Sequence, residues 1–290
     1  MTTKLEDGRQ VIDLPNKRRV TLTKSDGSSL YISRDIAAVL DRFQSFKPQK
    51  MIYVVEHGQS NHFLNLFEIC QKLVPVEFEH VMFGRIQGMS TRKGTAIFLE
   101  DILDEAKFRM LEKIKNSPNT KISWENYQET AEILGISAVI INDLKFKKTR
   151  NYEFSWAEAL QDKGNSGLFL QYTHCRLCNL IENNSEIPKI TNFEDLDFEK
   201  LQEPEVIQLI LSCAQFEEKF MMTCTRLEPS ILVKYLFKLC NDSNRANQVL
   251  RIKGIQDEEK AALRLALFKV TKNILHFGMS VLGLKPLEKM

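Results

Sequence analysis

The spacing of apolar residues changes along the chain, and this change constrains the fold more than any other feature of the sequence. The first third alternates short strand-like runs with helical stripes, whereas from Glu100 onward apolar residues recur at intervals of three and four. Alternation predicts a parallel sheet covered by helices, and a sustained helical period predicts a bundle. We therefore expect an α/β part followed by an all-α part.

One strand defines the α/β part. Residues 51–55 form a short apolar run rich in β-branched and aromatic side chains, which is typical of a buried parallel strand. Amphipathic helical stripes precede it over 35–46 and follow it over 60–73. A strand flanked by two such helices is the unit of a doubly wound sheet.

The last portion is predicted to be helical almost throughout. A turn-rich break over 164–167 comes first, and we place a domain boundary near it. The apolar spacing then predicts four helices, over 167–182, 203–222, 229–250 and 257–282. Four consecutive helices favour an antiparallel bundle.

Composition and charge exclude several classes of protein. The chain has 290 residues, enough for two domains, and its apolar runs are far shorter than the roughly 18 residues that cross a membrane. Its net charge is only +2, so any nucleic acid would have to be bound by local patches. Basic runs over 17–19 and 145–150 are interpreted, taken alone, as solvated surface. Residues 1–19 are polar and contain Glu6, Asp7 and Asp13, unlike a signal peptide or a good mitochondrial presequence.

The cysteines do not predict a metal site. Six are scattered along the chain, and only Cys175 and Cys178 form a C-x-x-C pair. A zinc ribbon needs a second such pair, which the sequence lacks. Three residues apart on a helix, the two thiols are expected to share one buried face and to stay reduced.

A glycine-flanked loop carries the most distinctive polar residues. The segment 88–94 contains Ser90, Thr91, Arg92 and Lys93 between two glycines. Glycine lets the backbone approach a phosphate closely, the cations could neutralise charge on a breaking phosphoryl bond, and the hydroxyls could donate hydrogen bonds. On composition alone, the loop could equally be an ordinary basic turn.

Several motifs, in order along the chain, carry a family resemblance. Residues 87–99 read Q-G-M-S-T-R-K-G-T-A-I-F-L, similar to the second signature loop of class I aminoacyl-tRNA synthetases in the form typical of arginine–tRNA ligases. Other segments resemble further motifs of that family: S-D-G-S-S-L-Y-I-S-R-D over 25–35, M-I-Y-V-V over 51–55 followed by Gln59 and His62, H-V-M-F-G over 80–84, L-Q-Y-T-H-C-R over 170–176, and G-M-x-x-L-G-L-x-P over 278–286. The chain therefore resembles the C-terminal portion of an arginine–tRNA ligase from about residue 20 to its end.

The resemblance implies a fold and a set of substrates. Residues 1–120 would form the C-terminal part of a class I, Rossmann-type catalytic domain, 121–163 a helical connector, and 164–290 a helical-bundle anticodon-binding domain. The substrates would be L-arginine, an arginine tRNA and ATP accompanied by Mg²⁺. No tightly bound cofactor, protein metal site or membrane is expected.

The resemblance also assigns Tyr31, Asp35 and Gln59 to the arginine substrate. A guanidinium has five N–H donors and needs carboxylate and carbonyl acceptors around it. Asp35 would pair with it, Gln59 would orient it and Tyr31 would form a wall of the pocket. The residues alone permit another interpretation, in which Tyr31 packs in the core and Asp35 caps the helix that follows it.

Two further roles follow from the same resemblance. The polar residues of the 88–94 loop would act in catalysis on the ATP phosphates. Tyr172 and Arg176 would face the tRNA, where a ring can stack on an unpaired base and an arginine can contact phosphate. The alternative for Tyr172 is that it is one more aromatic residue of the bundle.

The sequence departs from the family in two places. Class I synthetases need a first signature, H-x-G-H, and none of the five histidines forms it. Where relatives often place aromatic residues between the last two helices, this chain has Asn247 and Arg251, which weakens any assignment of base stacking there. A partial parallel sheet would also expose an apolar edge, so a complementing N-terminal half is a candidate partner.

The sequence permits three functions. The favoured one is arginine–tRNA ligase, because a chain that only binds tRNA has no need of the arginine and phosphate residues together; the isolated chain is expected to have little or no activity. The second is a tRNA-binding module without ligase activity. The third is an interaction protein with no tRNA affinity. Details such as residues 126–131 favour the mitochondrial matrix, with the cytoplasm as the alternative.

Overall fold

The computed structural model describes residues 2–87, 98–118, 120, 122–161, 164–188, 190 and 197–290. The chain divides into two compact units. The first comprises Met1–Arg85 with Thr149–Tyr152, and the second comprises Ile86–Lys148 with Glu153–Met290.

The first unit combines two small sheets with two helices. Its elements are, in order, β1 Thr2–Lys4, β2 Gln10–Asp13, β3 Arg19–Thr23, α1 Tyr31–Phe46, β4 Lys50–Glu56, α2 Ser60–Cys70 and β5 Glu77–Phe83. The first three strands form an antiparallel sheet that the sequence analysis did not predict. β4 and β5 pair in parallel from Lys50↔Glu77 to Glu56↔Phe83, with α2 as the connection between them. The predicted parallel arrangement is therefore confirmed.

The strand predicted to be buried is buried on one face only. Met51 of β4 is buried and belongs to the same core as Val39 of α1 and Leu66 of α2. Because α1 and α2 share this core, they cover the same face of the strand. Side chains alternate between the two faces of a strand, and on the other face Ile52 and Val54 are 48% and 65% exposed.

The second unit is largely helical. Its helices are α3 Leu99–Lys115, α4 Tyr127–Leu144, α5 Trp156–Ala159, α6 Gly167–Glu182, α7 Pro204–Ala214, α8 Phe216–Arg226, α9 Pro229–Val249 and α10 Glu258–Val281. Two short strands, β6 Ile86–Gln87 and β7 Tyr152–Glu153, lie where the chain passes between the units. In the part of the chain that the structure describes, no helix has both the length and the apolar character to span a bilayer.

Three of the four predicted C-terminal helices are confirmed, and the fourth is divided. The segment predicted as one helix over 203–222 forms α7 and α8, which meet at Gln215. Gln215 keeps right-handed helical dihedral angles, with φ −74° and ψ −7°. No glycine or proline marks the break, so the apolar spacing continues through it and a sequence pattern cannot reveal it.

The start of α6 lies unusually close to α4. Ser166 caps the helix by accepting a hydrogen bond from Phe169 N at 3.2 Å. A Cβ atom added to Gly167 would lie 2.1 Å from the carbonyl oxygen of Ser137 in α4. Glycine is therefore required at this position, and the 164–167 break is the point where the bundle begins to pack on α4.

An ion pair joins α10 to the residue that precedes α7. Arg264 of α10 donates to Glu203, the residue before α7, and its Nη1 donates to the Arg251 carbonyl at 2.6 Å. Lys260 Nζ lies 2.9 Å from Glu203 Oε1. Burial alone would raise the pKa of Glu203, but the hydrogen bonds from Lys260 and Arg264 outweigh it and lower the pKa to about 2. The carboxylate is therefore ionised in the folded state.

The chain's C-terminal segment is anchored on α6. Gln171 donates to the Lys285 carbonyl and accepts from Leu287 N, both at 2.9 Å. His174 Nδ1 donates to the Leu287 carbonyl at 2.7 Å, which leaves its Nε2 to accept from His276 Nδ1 at 3.3 Å. Burial, reinforced by His276 and Lys272, lowers the pKa of His174. Protonation of His174 would keep the bond to Leu287 but would remove the acceptor for His276.

Replacing Glu203 by Gln tests the buried ion pair. A hydrogen bond to a charged group contributes roughly 1.5–3 kcal/mol, so Glu203→Gln should lower the free energy of unfolding by about that amount at pH 7. Glu205→Gln, on the first turn of the same helix and without an ion pair among the described residues, should cost less than about 1 kcal/mol. Urea denaturation measures both free energies of unfolding, and equal losses would contradict the ion pair at Glu203.

The same pair of proteins tests the pH dependence. Because the folded pKa of Glu203 lies below the unfolded value of 4.5, the wild type and Glu203→Gln should converge in stability as the pH falls below 4.5.

Replacing His174 by Asn tests the anchor of the C-terminal segment. The Asn amide can replace Nδ1 as the donor to Leu287, but it does not titrate. The folded pKa of His174 lies below 6.5, so its contribution is complete above pH 6.5 and is lost as the pH falls. Between pH 7.5 and 5.5 the wild type should lose up to about 1.4 kcal/mol more than the variant in urea denaturation. Parallel pH profiles would show that His174 is not the titrating group.

Candidate functional site

The carboxyl end of β4 carries the first candidate site. Ligands of parallel sheets bind outside the carboxyl ends of the strands, and here β4 ends in a 3₁₀ turn over His57–Gln59 that leads into α2. Glu56 braces this turn by accepting from Gly58 N at 3.1 Å and from Arg85 Nη2 at 3.2 Å. The Arg85 guanidinium, followed by Gly58 N–H, holds the pKa of Glu56 below its usual range. No role was predicted for Glu56 or Arg85 from the sequence.

Asp35 is held by a histidine from the neighbouring helix. His62 Nε2, in the first turn of α2, donates to Asp35 Oδ2 at 2.6 Å. The Asp35 side chain is 45% exposed, so its other lone pairs face solvent. His62 belongs to the quoted family pattern, but no role for it was predicted, because a hydrogen bond between residues 27 positions apart leaves no local signal.

The aromatic residues below this pair fix the direction of His62. Its neighbour Phe63 is buried, with ring centroids 5.2 Å from Tyr53 and 4.5 Å from His80. His80 Nε2 in turn donates to the Val55 carbonyl at 3.0 Å. Because Phe63 packs on Tyr53 of β4 and His80 of β5, which lie opposite each other in the sheet, the first turn of α2 is fixed and His62 reaches Asp35 of α1.

Tyr31 and Gln59 are both exposed to solvent. Tyr31 begins α1, one turn before Asp35, and is 81% exposed. The alternative interpretation is therefore wrong on both points: Tyr31 is not in the core, and Asp35 lies within α1 rather than capping it. Gln59 is exposed and directly precedes α2, one turn before His62. The three predicted residues thus surround the first turns of α1 and α2.

The predicted phosphate-binding residues Ser90, Thr91, Arg92 and Lys93 lie outside the described residues. Their assignment stays a prediction from the sequence.

The second candidate site lies on α6. The ring of Tyr172 is 49% exposed, and the guanidinium of Arg176 lies over it at 5.7 Å from the centroid. Arg176 Nη1 also donates to Asn244 Oδ1 of α9 at 3.3 Å, and Asn244 Nδ2 donates to Thr173 Oγ1 at 3.4 Å. Tyr172 is therefore a surface ring held beside a cation rather than a residue of the bundle core.

In the first basic run, Lys17 and Arg19 are exposed, as expected for solvated surface, whereas Arg18 is partly buried in contacts with α2. Arg18 pairs with Glu68 and donates to Asn65 Oδ1 at 3.0 Å, while Arg19 pairs with Asp13 at 2.6 Å. These contacts tie the β2–β3 hairpin to α2 and close the hairpin itself.

The second basic run is also largely structural. The Lys145 side chain is 12% exposed, and burial lowers its pKa. Lys148 Nζ donates to the carbonyls of Arg226 and Leu227 at 2.9 Å, at the end of α8. The interpretation of this run as solvated surface is therefore wrong for Lys145 and Lys148.

Cys175 and Cys178 pack within the fold beside the C-terminal segment. Cys175 is buried, burial raises the pKa of its thiol to about 12, and the thiol donates to the Leu287 carbonyl at 3.1 Å. Cys178 is half-buried, with Sγ 3.7 Å from His174 Nδ1. No cluster of three or more potential metal ligands occurs within the described ranges.

Two protein-family models match the chain, in the order that the sequence predicted. The model described as tRNA synthetases class I (R), catalytic domain, matches residues 2–156, and the DALR anticodon binding domain matches residues 170–290. The predicted succession of a class I catalytic part and a helical anticodon-binding part is confirmed.

Individual relatives agree with these models. The chain is 39% identical to the cytoplasmic arginine–tRNA ligase of Saccharomyces cerevisiae over 98% of its own length and 48% of the relative. It is 36% identical to the mitochondrial arginine–tRNA ligase of that yeast, over 98% of this chain and 45% of the relative. A crystal structure of arginyl-tRNA synthetase from Plasmodium falciparum matches all of the chain and 50% of that protein, with a TM-score of 0.82 and 26% identity.

The chain thus spans about half the length of the relatives it matches. Relatives from both the cytoplasm and mitochondria match, so similarity does not decide the compartment. Since the catalytic-domain model covers more than half of its residues, the chain belongs to the class I arginyl-tRNA synthetase family.

Proposed function

We propose that this protein acts in the attachment of L-arginine to its tRNA, as an arginine–tRNA ligase. The arginine carboxylate would attack the α-phosphate of ATP and release pyrophosphate, and a terminal ribose hydroxyl of the tRNA would then take the arginyl group and release AMP. The observation that carries the proposal is the Asp35 carboxylate, held by His62 at the carboxyl end of the parallel sheet. Such a reaction depends on positioning and charge stabilisation rather than on a protein nucleophile.

The proposed arginine site matches the chemistry of a guanidinium. Asp35 offers a partly exposed carboxylate whose direction is fixed by His62, so it can accept N–H donors without first being ordered. Gln59, exposed at the start of α2, would add an amide oxygen, and the exposed Tyr31 ring would cover one side. This division of roles remains part of the proposal.

The remaining substrates follow from the family. Ser90, Thr91, Arg92 and Lys93 would contact the ATP phosphates, where two cations and two hydroxyls can stabilise the developing charge. ATP would be a substrate, with Mg²⁺ accompanying its phosphates, and no tightly bound cofactor is proposed.

On α6, the exposed ring of Tyr172 and the cation of Arg176 would face the tRNA. Aromatic rings stack on unpaired bases, and guanidinium groups bind phosphate, so this pair suits an RNA loop.

The domain organisation and the compartment are proposed on sequence grounds. Residues 1–120 would belong to the catalytic domain, 121–163 to a connector and 164–290 to the anticodon-binding domain. The mitochondrial matrix is the proposed compartment, and the cytoplasm is the alternative.

A second candidate function is a tRNA-binding module without ligase activity. The observation that favours it is the lack of H-x-G-H in the 290 residues. A complementing N-terminal half would restore the ligase, and the exposed Ile52 and Val54 on one face of β4 offer it an apolar surface to cover.

Arginine binding tests the proposed site directly. L-Arginine should bind the chain, whereas L-citrulline, its uncharged isostere, should bind far more weakly because the carboxylate of Asp35 loses its ionic partner. Asp35→Asn should weaken L-arginine binding about tenfold or more, and Asp41→Asn, an exposed substitution on the same helix, should have no effect. Isothermal titration measures all three proteins. Equal binding of the two amino acids, or no effect of Asp35→Asn, would refute the assignment.

Arginylation and tRNA binding together distinguish the two candidate functions. With ATP, L-arginine and an arginine tRNA transcript, the purified chain is expected to bind the tRNA but to form little or no arginyl-tRNA. Product that disappears in Asp35→Ala would establish the ligase function and contradict the expectation that the chain is catalytically incomplete. Absence of both product and tRNA binding would exclude both candidate functions.

A further inference from the structure

A concave, positively charged surface lies along α9. Its lining residues come from three elements and are mostly cations or amides: Lys234, Lys238, Asn241 and Arg245 of α9, Gln208 of α7, and Asn165 before α6. We call these six residues the α9 groove. The four residues of α9 are spaced at intervals of four, three and four, so they share one face of the helix.

Two of the three cations in the groove form no ion pair with a residue that the structure describes. Lys234 and Arg245 are exposed, and neither forms an ion pair within the described ranges. By contrast, most cations discussed above pair within the fold. Unpaired cations on a concave surface concentrate positive potential there.

The acidic residue at the base of the groove is neutralised internally. Asp242 is buried; its Oδ2 accepts from Ser212 Oγ at 2.6 Å and lies 3.3 Å from Lys238 Nζ. Lys238 also donates to Ser212 Oγ at 2.6 Å. Asp242 Oδ2 also accepts from Gln208 Nε2 at 3.4 Å, so Asp242 is held within a polar network, and Lys234 and Arg245 form no ion pair with a described residue.

The groove adjoins the proposed tRNA-facing residues. Arg176 donates to Asn244, the residue beside Arg245 on α9, at 3.3 Å. A ligand lying over Tyr172 and Arg176 can therefore continue onto α9. From Lys234 to Arg245 the helix rises about 16 Å, enough to contact more than one phosphate group of a nucleic-acid strand.

We infer that the α9 groove binds the phosphodiester backbone of the tRNA, a contact that rests on the proposed function. Lys234 and Arg245 pair with phosphate oxygens, and the amides of Asn165, Gln208 and Asn241 donate hydrogen bonds to phosphate or ribose. The groove presents cations and amides without an exposed aromatic ring, so it positions the RNA and does not read its bases.

The test removes the charges of Lys234 and Arg245 and keeps hydrogen-bonding side chains. Lys234→Gln/Arg245→Gln is compared with Arg109→Gln/Lys115→Gln, which makes the same change in net charge on α3, where both cations are surface residues paired with glutamates. The probe is an arginine tRNA transcript, titrated by filter binding between about 50 and 200 mM salt. Each lost phosphate contact lowers the slope of log K against log salt by roughly 0.7–0.9.

The groove variant should bind the tRNA about tenfold more weakly than the wild type, with the salt slope reduced by about 1.4–1.8, and the α3 variant should match the wild type. A transcript of another tRNA should lose affinity by the same factor. Equal binding by the groove variant and the wild type would overturn the inference and leave the proposed function intact, as expected if the groove instead binds an acidic protein. A loss confined to the arginine tRNA would overturn the backbone assignment. If the wild type itself does not bind tRNA, the proposed function fails, and this inference fails with it.

Discussion

The parallel pairing of β4 with β5 is the constraint on which the first unit depends. Two parallel strands must be joined by a crossover, and α2 supplies it, so that the carboxyl end of β4 leads directly into the first turn of α2. The Phe63 ring, packed on Tyr53 of β4 and His80 of β5, then fixes the orientation of that turn. His62 and Asp35 meet as a consequence of this geometry. The chemistry of the candidate site is therefore set by strand pairing rather than by any local motif.

In the second unit, α6 has the corresponding role. At Gly167 it approaches the backbone of α4 more closely than any side chain would allow, and on its buried face Gln171 and His174 fasten the C-terminal segment. Its opposite face presents Tyr172 and Arg176. A helix fixed on one side by hydrogen bonds to backbone groups loses little further freedom when a ligand binds the other side. The surface proposed to meet tRNA is thus preorganised by contacts that are purely structural.

The sequence predicted the elements with a long, regular period and missed those that depend on distant partners. The helix α2 and the three undivided C-terminal helices follow from apolar spacing alone. The strands β1, β2 and β3 have three to five residues each, too few for a periodic signal. They are stabilised by pairing with one another. For the candidate site, family motifs predicted Tyr31, Asp35 and Gln59, and the spacing could not show that α1 begins at Tyr31. The bond between Asp35 and His62 joins two helices, so only tertiary structure reveals it.

The lysines and arginines of the chain divide into those that form structural ion pairs and those that do not. With a net charge of +2, the protein cannot attract RNA as a whole, and position decides which cations are available. The conspicuous runs in the sequence, such as Arg18 with Arg19, are consumed in ion pairs, because neighbouring cations near a helix or hairpin readily find carboxylates. Lys234 and Arg245 lie eleven residues apart on α9, about 16 Å along the helix, so they do not repel each other strongly and need no carboxylate between them. Neither forms an ion pair with a described residue, so position on a helix face, rather than the local density of lysine and arginine, decides which cations of this chain stay available.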